Sequence, residues 1–193
     1  MIPGYGSGFP GSRLAAGNAP NRAWDLGREE LAQFARTVDD GPSDAGDVVA
    51  TKSILLVEDN PDDLELATRA LKKVGYGDAL VIARDGVEAL DYLFGTGAFA
   101  GRDTSAQPTL ILLDLKLPRL GGHEVLERLR REKRTQLIPV VVLTSSDERD
   151  DVRGAYARGA NSYIRKPVEF GRFTTALSEI GRYWIDLNTP PQS

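Results

Sequence analysis

The stretch Lys52-Ser53-Ile54-Leu55-Leu56-Val57-Glu58-Asp59-Asn60-Pro61-Asp62-Asp63 passes from an unbroken apolar run to two acids and then to a helix start. Asn60 can cap that helix, Pro61 suits its first turn, and the following acids face the positive end of its dipole. Two further runs, Leu110–Leu113 and residues 140–143, also lack polar alternation. Strands of this kind are covered on both faces, which marks a parallel sheet between layers of helix. The weaker runs at 79–83 and Ser162–Arg165 supply two edge strands.

Helices fall between the strands. Leu64, Ala67, Leu71 and Val74 form the buried stripe of the first, and the second spans about residues 87–94. The third spans about 122–134 and ends in Arg130, Arg131, Lys133 and Arg134, where cations on a solvated face suit the negative dipole end. Ser145 to Glu148 reads as a capping box that opens the fourth, which stops at Gly159. Phe170, Phe173, Leu177, Ile180 and Trp184 recur every three or four residues along the fifth. Five strands alternating with five helices through right-handed crossovers give a doubly wound α/β domain.

The 193 residues carry 24 basic and 28 acidic side chains, one histidine and no cysteine, for a formal charge of −4. Zinc ribbons, Fe–S clusters, disulfide frameworks and thiolate nucleophiles are thereby excluded. Oxygen-ligated metals remain. No apolar run is long enough to span a bilayer and no signal peptide is evident, so a cytoplasmic location without membrane contact is expected. Residues 1–50 hold 8 of the 20 glycines and 4 of the 11 prolines, and read as a flexible extension. Trp24, Leu31, Phe34 and Val38 allow a short amphipathic helix at 22–39.

In a doubly wound fold, ligands bind beyond the carboxyl ends of the strands. The polar residues placed there are Glu58 and Asp59, Asp114, Thr144 and Lys166. Converging carboxylates repel one another unless a cation sits among them, and an all-oxygen set favours Mg²⁺, with Mn²⁺ a possible substitute. A carboxylate beside such an ion can attack a phosphoryl group and hold it as an aspartyl phosphate, which makes Asp114 the candidate nucleophile. Lys166 and Thr144 supply the ammonium and hydroxyl that a transferring phosphoryl group needs.

On these residues the sequence resembles the receiver domains of two-component response regulators. The motifs are Ile54-Leu55-Leu56-Val57-Glu58-Asp59-Asn60, Leu113-Asp114-Leu115-Lys116-Leu117-Pro118, Val142-Leu143-Thr144-Ser145-Ser146 and Tyr163-Ile164-Arg165-Lys166-Pro167, in family order. The resemblance implies a flavodoxin-like sheet of order 2-1-3-4-5 over residues 51–187, with 188–193 as a tail. It implies Asp114 as phosphoacceptor, with Asp59, Asp114 and the backbone carbonyl of Lys116 on Mg²⁺ and Glu58 acting through water. Thr144 and Lys166 would hold phosphoryl oxygens, Tyr163 would be the switch aromatic, and Lys166–Pro167 would be cis.

The segment 93–103, the Thr-Ser-Ser after the fourth strand and the ending Tyr183-Trp184-Ile185-Asp186-Leu187-Asn188 look like the stand-alone regulators paired with phytochrome-type sensor histidine kinases. The segment 93–103 is read either as a plain surface loop or as a contact region for a kinase or dimer partner.

Nine residues follow Trp184, too few for an output domain, so output by protein contact is expected. The surplus apolar character of the last helix suggests a homodimer surface of Phe170, Phe173, Leu177, Tyr183 and Trp184. His123 is read as a surface residue. The acidic total argues against direct nucleic-acid binding.

The reading is thus a signalling module, not an enzyme. It accepts a phosphoryl group from a kinase phosphohistidine, or carries one within a multistep relay. An aspartyl-phosphate phosphohydrolase is the enzymatic alternative, but it would want an acid at position 116. A nucleotide or flavin binder would want a phosphate loop where Glu58-Asp59 stands.

Overall fold

The computed structural model describes residues 52–146 and 148–190; the extension at 1–50, with its expected helix at 22–39, lies outside them. Five parallel strands, β1 (Ile54–Val57), β2 (Leu80–Ala83), β3 (Leu110–Leu113), β4 (Val140–Thr144) and β5 (Ser162–Arg165), form one sheet of order β2-β1-β3-β4-β5. Between them run α1 (Pro61–Lys73), α2 (Gly86–Phe94), α3 (Gly122–Arg131) and α4 (Arg149–Ala157), and α5 (Phe170–Gly181) follows β5.

Every residue of β1, β3 and β4 is buried, whereas β2 and β5 at the edges are mostly half-buried. The period of two within each strand assigns its residues to two cores. Leu55, Val57, Ile111, Leu113, Val140 and Val142 face α2, α3 and α4, where Leu93, Val125, Leu126, Leu129 and Ala155 meet them. Ile54, Leu56, Leu110, Leu112, Val141 and Leu143 face α1 and α5, packing on Leu64, Ala67, Ala70, Leu71, Phe173, Leu177 and Ile180.

The start of α1 follows the sequence reading: the Asn60 side chain accepts from the Asp62 and Asp63 N–H groups, with Pro61 in the first turn. Asp85 caps α2 in the same way, through Val87 and Glu88. The close approach of α3 to β3 requires Gly122, because a Cβ there would lie 2.3 Å from the Asp114 carbonyl oxygen.

Several expectations are corrected. The proposed Ser145–Glu148 capping box does not form: α4 begins at Arg149 after an N-cap, Glu148, that makes no side-chain cap bond. The neighbouring serine takes the place expected for Ser145: Ser146 Oγ accepts the Glu148 N–H at 3.5 Å and donates to Asp151 Oδ2 at 2.5 Å, a charge-assisted bond. Helix α3 stops at Arg131, and Arg130 is not a solvated helix-end cation. Its guanidinium donates to the carbonyls of Gly159 and Ile138 and to Asn161 Oδ1, tying the end of α3 to the segment before β5.

Phe173 and Leu177 cannot form a dimer surface, because both are buried against the sheet. Beyond α5 the chain continues as a π-helical turn, Arg182–Leu187, that buries Ile185 and leaves Tyr183 exposed. The segment after α2 packs on itself. Phe99 meets Tyr92 edge-on, Arg102 lies 4.0 Å over the Tyr92 ring, and Gln107 Nε2 donates to the Leu93 carbonyl.

Candidate functional site

All five strands point the same way, so their carboxyl ends share one rim of the sheet. Backbone pairing continues one residue past three of them. The N–H groups of Glu58, Asp114 and Lys166 donate to the carbonyls of Ala83, Val57 and Thr144, at 3.0, 3.0 and 2.8 Å. The ladder itself therefore fixes where these side chains leave the sheet.

They converge. Lys166 Nζ donates to Glu58 Oε2 at 2.5 Å, Asp114 Oδ2 at 2.7 Å and Asp63 Oδ2 at 2.8 Å. Asp114 Oδ1 accepts the Lys116 N–H at 3.1 Å, and Glu58 Oε1 accepts the Asn60 N–H at 3.2 Å. The Lys166–Pro167 bond is trans, since no cis peptide occurs among the described residues. The expected cis bond was to aim the lysine into the site. The β4–β5 ladder does that, and trans is the intrinsically favoured isomer.

Burial pushes the Glu58 carboxyl up to about 7, opposed by the hydrogen bond and charge of Lys166 and reinforced by the charge of Asp114. Burial alone would lower the pKa of Lys166. The hydrogen bonds to Asp114, Asp63 and Glu58 outweigh it and hold the ammonium well above its ordinary range. Three carboxylates around one ammonium leave a local excess of negative charge, which a second cation would relieve.

The donor set is all oxygen and suits a hard divalent ion. Its present arrangement, however, serves the lysine. Among the described residues, no three Asp, Glu or His side chains are assembled as a metal ligand set, and Asp59 faces solvent.

Thr144 and Tyr163 belong to an adjoining network that runs through Ser146. Thr144 is fully buried and its Oγ1 accepts the Ser146 N–H at 3.4 Å, while the Tyr163 hydroxyl donates to the Ser146 carbonyl at 3.0 Å. Asp151, the acceptor for Ser146 Oγ, has its other oxygen 3.5 Å from His123 Nε2. His123 is therefore a half-buried contact between α3 and α4, not a plain surface residue. The Ser146 hydrogen bond first, and His123 second among the lowering influences, hold the Asp151 carboxyl below its ordinary value.

A third cluster lies at the β2–α2 corner. Asp85 Oδ2 accepts from Arg119 Nε at 2.8 Å and from its Nη2, and Arg119 takes a left-handed backbone conformation with φ 62°.

Sequence reasoning missed Asp63 as a site residue because both acids of the first turn were read as dipole partners. Helical spacing gives no signal, because Asp59 precedes the extended Asn60 N-cap and lies outside α1; Asp63 meets Lys166 from 103 residues away. No motif foretells the Asp85–Arg119 pair, which joins residues 34 positions apart, or the local Ser146–Asp151 pair at the start of α4.

With this fold and this rim in view, the chain belongs to the response regulator receiver domain family, whose model matches residues 54–178. FilR2, a probable methanogenesis regulatory protein of Methanothrix harundinacea, is 42% identical over 151 residues, covering 77% of this chain and 95% of FilR2. The phosphorylated cyanobacterial phytochrome response regulator RcpA has a similar structure, with a TM-score of 0.67 at 37% identity over 73% of this chain and 99% of that one. The bacteriophytochrome response regulator AtBRR is 47% identical, with a TM-score of 0.58 over 72% of this chain and 98% of its own. Rcp1 of Synechocystis sp., 37% identical over 72% of this chain and 93% of its own length, has a structural counterpart in Mn²⁺-bound form with a TM-score of 0.65. The chain is thus a receiver-type response regulator close to the phytochrome-linked ones.

Proposed function

We propose that Asp114 is the phosphoacceptor of a phosphorylation-controlled binding module, and that the donor is a phosphohistidine on a sensor histidine kinase. The observation that carries this reading is the buried Lys166 ammonium held between Asp114 and Glu58 at the carboxyl rim of the sheet. An Asp114 carboxylate oxygen attacks phosphorus. The P–N bond breaks with its electron pair leaving on the imidazole nitrogen, and the new P–O bond leaves an aspartyl phosphate.

Glu58, Asp59, Asp114 and the Lys116 carbonyl would hold Mg²⁺ or Mn²⁺. When bound, such an ion supplies charge neutralisation for the phosphoryl oxygens. Lys166 supplies a fixed ammonium at the same oxygens, and Thr144 a hydroxyl. Movement of Thr144 toward the new charge pulls on Ser146, and through the Ser146 carbonyl on Tyr163, which gives the switch its path.

The receiver domain is taken as residues 51–187, with 1–50 an extension and 188–193 a tail, and the protein acts in the cytoplasm. Among the described residues no helix is long and apolar enough to cross a membrane. Similarity to RcpA and AtBRR points to a phytochrome-type kinase as the donor, and so to light signalling. Output is protein contact without direct nucleic-acid binding. A two-fold homodimer would use exposed Tyr183 with the half-buried Phe170 and Trp184, since Phe173 and Leu177 are spent in the core.

Incubation with Mg²⁺ and acetyl phosphate should place one acid-labile phosphate on the wild-type chain and none on Asp114→Asn, read by intact-protein mass. Equal labelling of the two would overturn the assignment.

A further inference from the structure

The three acids on Lys166 are not equivalent. The side chains of Glu58, Asp114 and Lys166 are 3, 7 and 9% exposed, whereas that of Asp63 is 35% exposed. Lys166 has three N–H donors, and these three carboxylates take all of them. To serve a phosphoryl oxygen the ammonium must turn one donor outward. The partner released at least cost is the one that water can solvate again, because a buried acceptor left without its donor bears the full desolvation penalty. That partner is Asp63.

Asp63 also opposes the product electrostatically. Its Oδ2 and Asp114 Oδ2 share one nitrogen at 2.8 and 2.7 Å, so they are at most about 5.5 Å apart. A phosphoryl group on Asp114 brings a charge of about −1.5 to −2 into that range.

Building on the phosphoacceptor reading, we propose that Asp63 is a positioning residue, a releasable tether on Lys166 that restrains phosphorylation of Asp114. Removing its charge frees the lysine and relieves repulsion of the phosphoryl group, and both effects favour the phosphorylated form. A role confined to the helix dipole would instead alter stability slightly and leave labelling unchanged.

The test compares wild type, Asp63→Asn, Asp63→Glu and Asp114→Asn as full chains, with Mg²⁺ and a series of acetyl phosphate concentrations. Initial labelling rates and the decay of label after donor removal are followed by intact-protein mass, and folding is verified by circular dichroism. Asp63→Asn should label about three- to tenfold faster per unit donor and lose its label more slowly, in keeping with one removed charge at short range. Asp63→Glu, which keeps the charge, should stay within about twofold of wild type.

Labelling of Asp63→Asn at or below the wild-type rate would overturn the tether. So would an Asp63→Glu chain that behaves like Asp63→Asn. Absence of label on wild type would overturn the phosphoacceptor reading itself, a result distinct from either.

Discussion

Two charged clusters sit on the same rim of the sheet and behave in opposite ways. Around Lys166, three carboxylates share one ammonium, and burial pushes Glu58 up to about 7. At the β2–α2 corner, Asp85 is also buried. Burial is the largest single influence there too and pushes upward, but the Arg119 hydrogen bond and charge, with the Glu88 and Val87 N–H groups, together bring its carboxyl below the ordinary value. The difference is stoichiometry. Asp85 has a guanidinium and two backbone donors to itself, whereas Glu58 divides a lysine with two competitors. A satisfied acid braces the fold, while an under-compensated set keeps a demand for further cation or hydrogen-bond donors, which is the property of a reactive site.

The contrast is broken most severely at its hub. Lys166→Ala removes the one ammonium among three carboxylates, and its labelling by acetyl phosphate should fall by about 10²-fold, the usual cost of losing a donor to a transferring group. Labelling at the wild-type rate would show that the cluster has no part in the chemistry.

The pH dependence of stability sharpens the comparison next. A carboxyl raised from 4.5 to about 7 binds a proton in the folded state over that interval while the unfolded chain does not. Its contribution to stability is therefore present below pH 4.5 and lost as pH rises through about 7. At about 1.4 kcal/mol for each pKa unit, the loss is at most about 3 kcal/mol. Melting in EDTA should show wild type losing stability from pH 4.5 to 7.5 relative to Glu58→Gln, and parallel curves would refute the shift. Asp85 has the reverse sign. Its lowered pKa gives stability present above its unfolded value near 3.8 and lost only in stronger acid, outside that window.

The smallest effect belongs to the satisfied cluster. Asp85→Ala should cost about 1 kcal/mol through the lost helix cap, measured by urea denaturation, and leave labelling by acetyl phosphate within about twofold of wild type. A labelling defect as large as that of Lys166→Ala would abolish the distinction between bracing and reactive acids.

Much of the architecture was legible because it follows from backbone periodicity. Three unbroken apolar runs meant strands covered on both faces, and Asn60-Pro61 announced the start of α1. Glu58, Asp114, Thr144 and Lys166 were legible as rim residues because each directly follows or ends a strand. Side-chain pairing across the fold was not. Ser145 and Glu148 carry a capping pattern, yet it is the Ser146 hydroxyl that accepts the Glu148 N–H and donates to Asp151. Arg130 resembles any helix-end cation until the Gly159 carbonyl is placed against it. The stripe of α5 counts too many apolar residues for one face only while its reach is unknown; Phe173 and Leu177 fill the space over β1, β3 and β4.

By itself the amino-acid order determined the alternation of strands and helices and the residue types at the strand ends, since both are set by neighbours within a turn or a pleat. The packed chain alone decided that Asp63 joins Glu58 and Asp114 on Lys166, residues 103, 108 and 52 positions from that lysine. Hydrogen bonds and charges act over a few ångströms of space, and sequence distance does not measure that space.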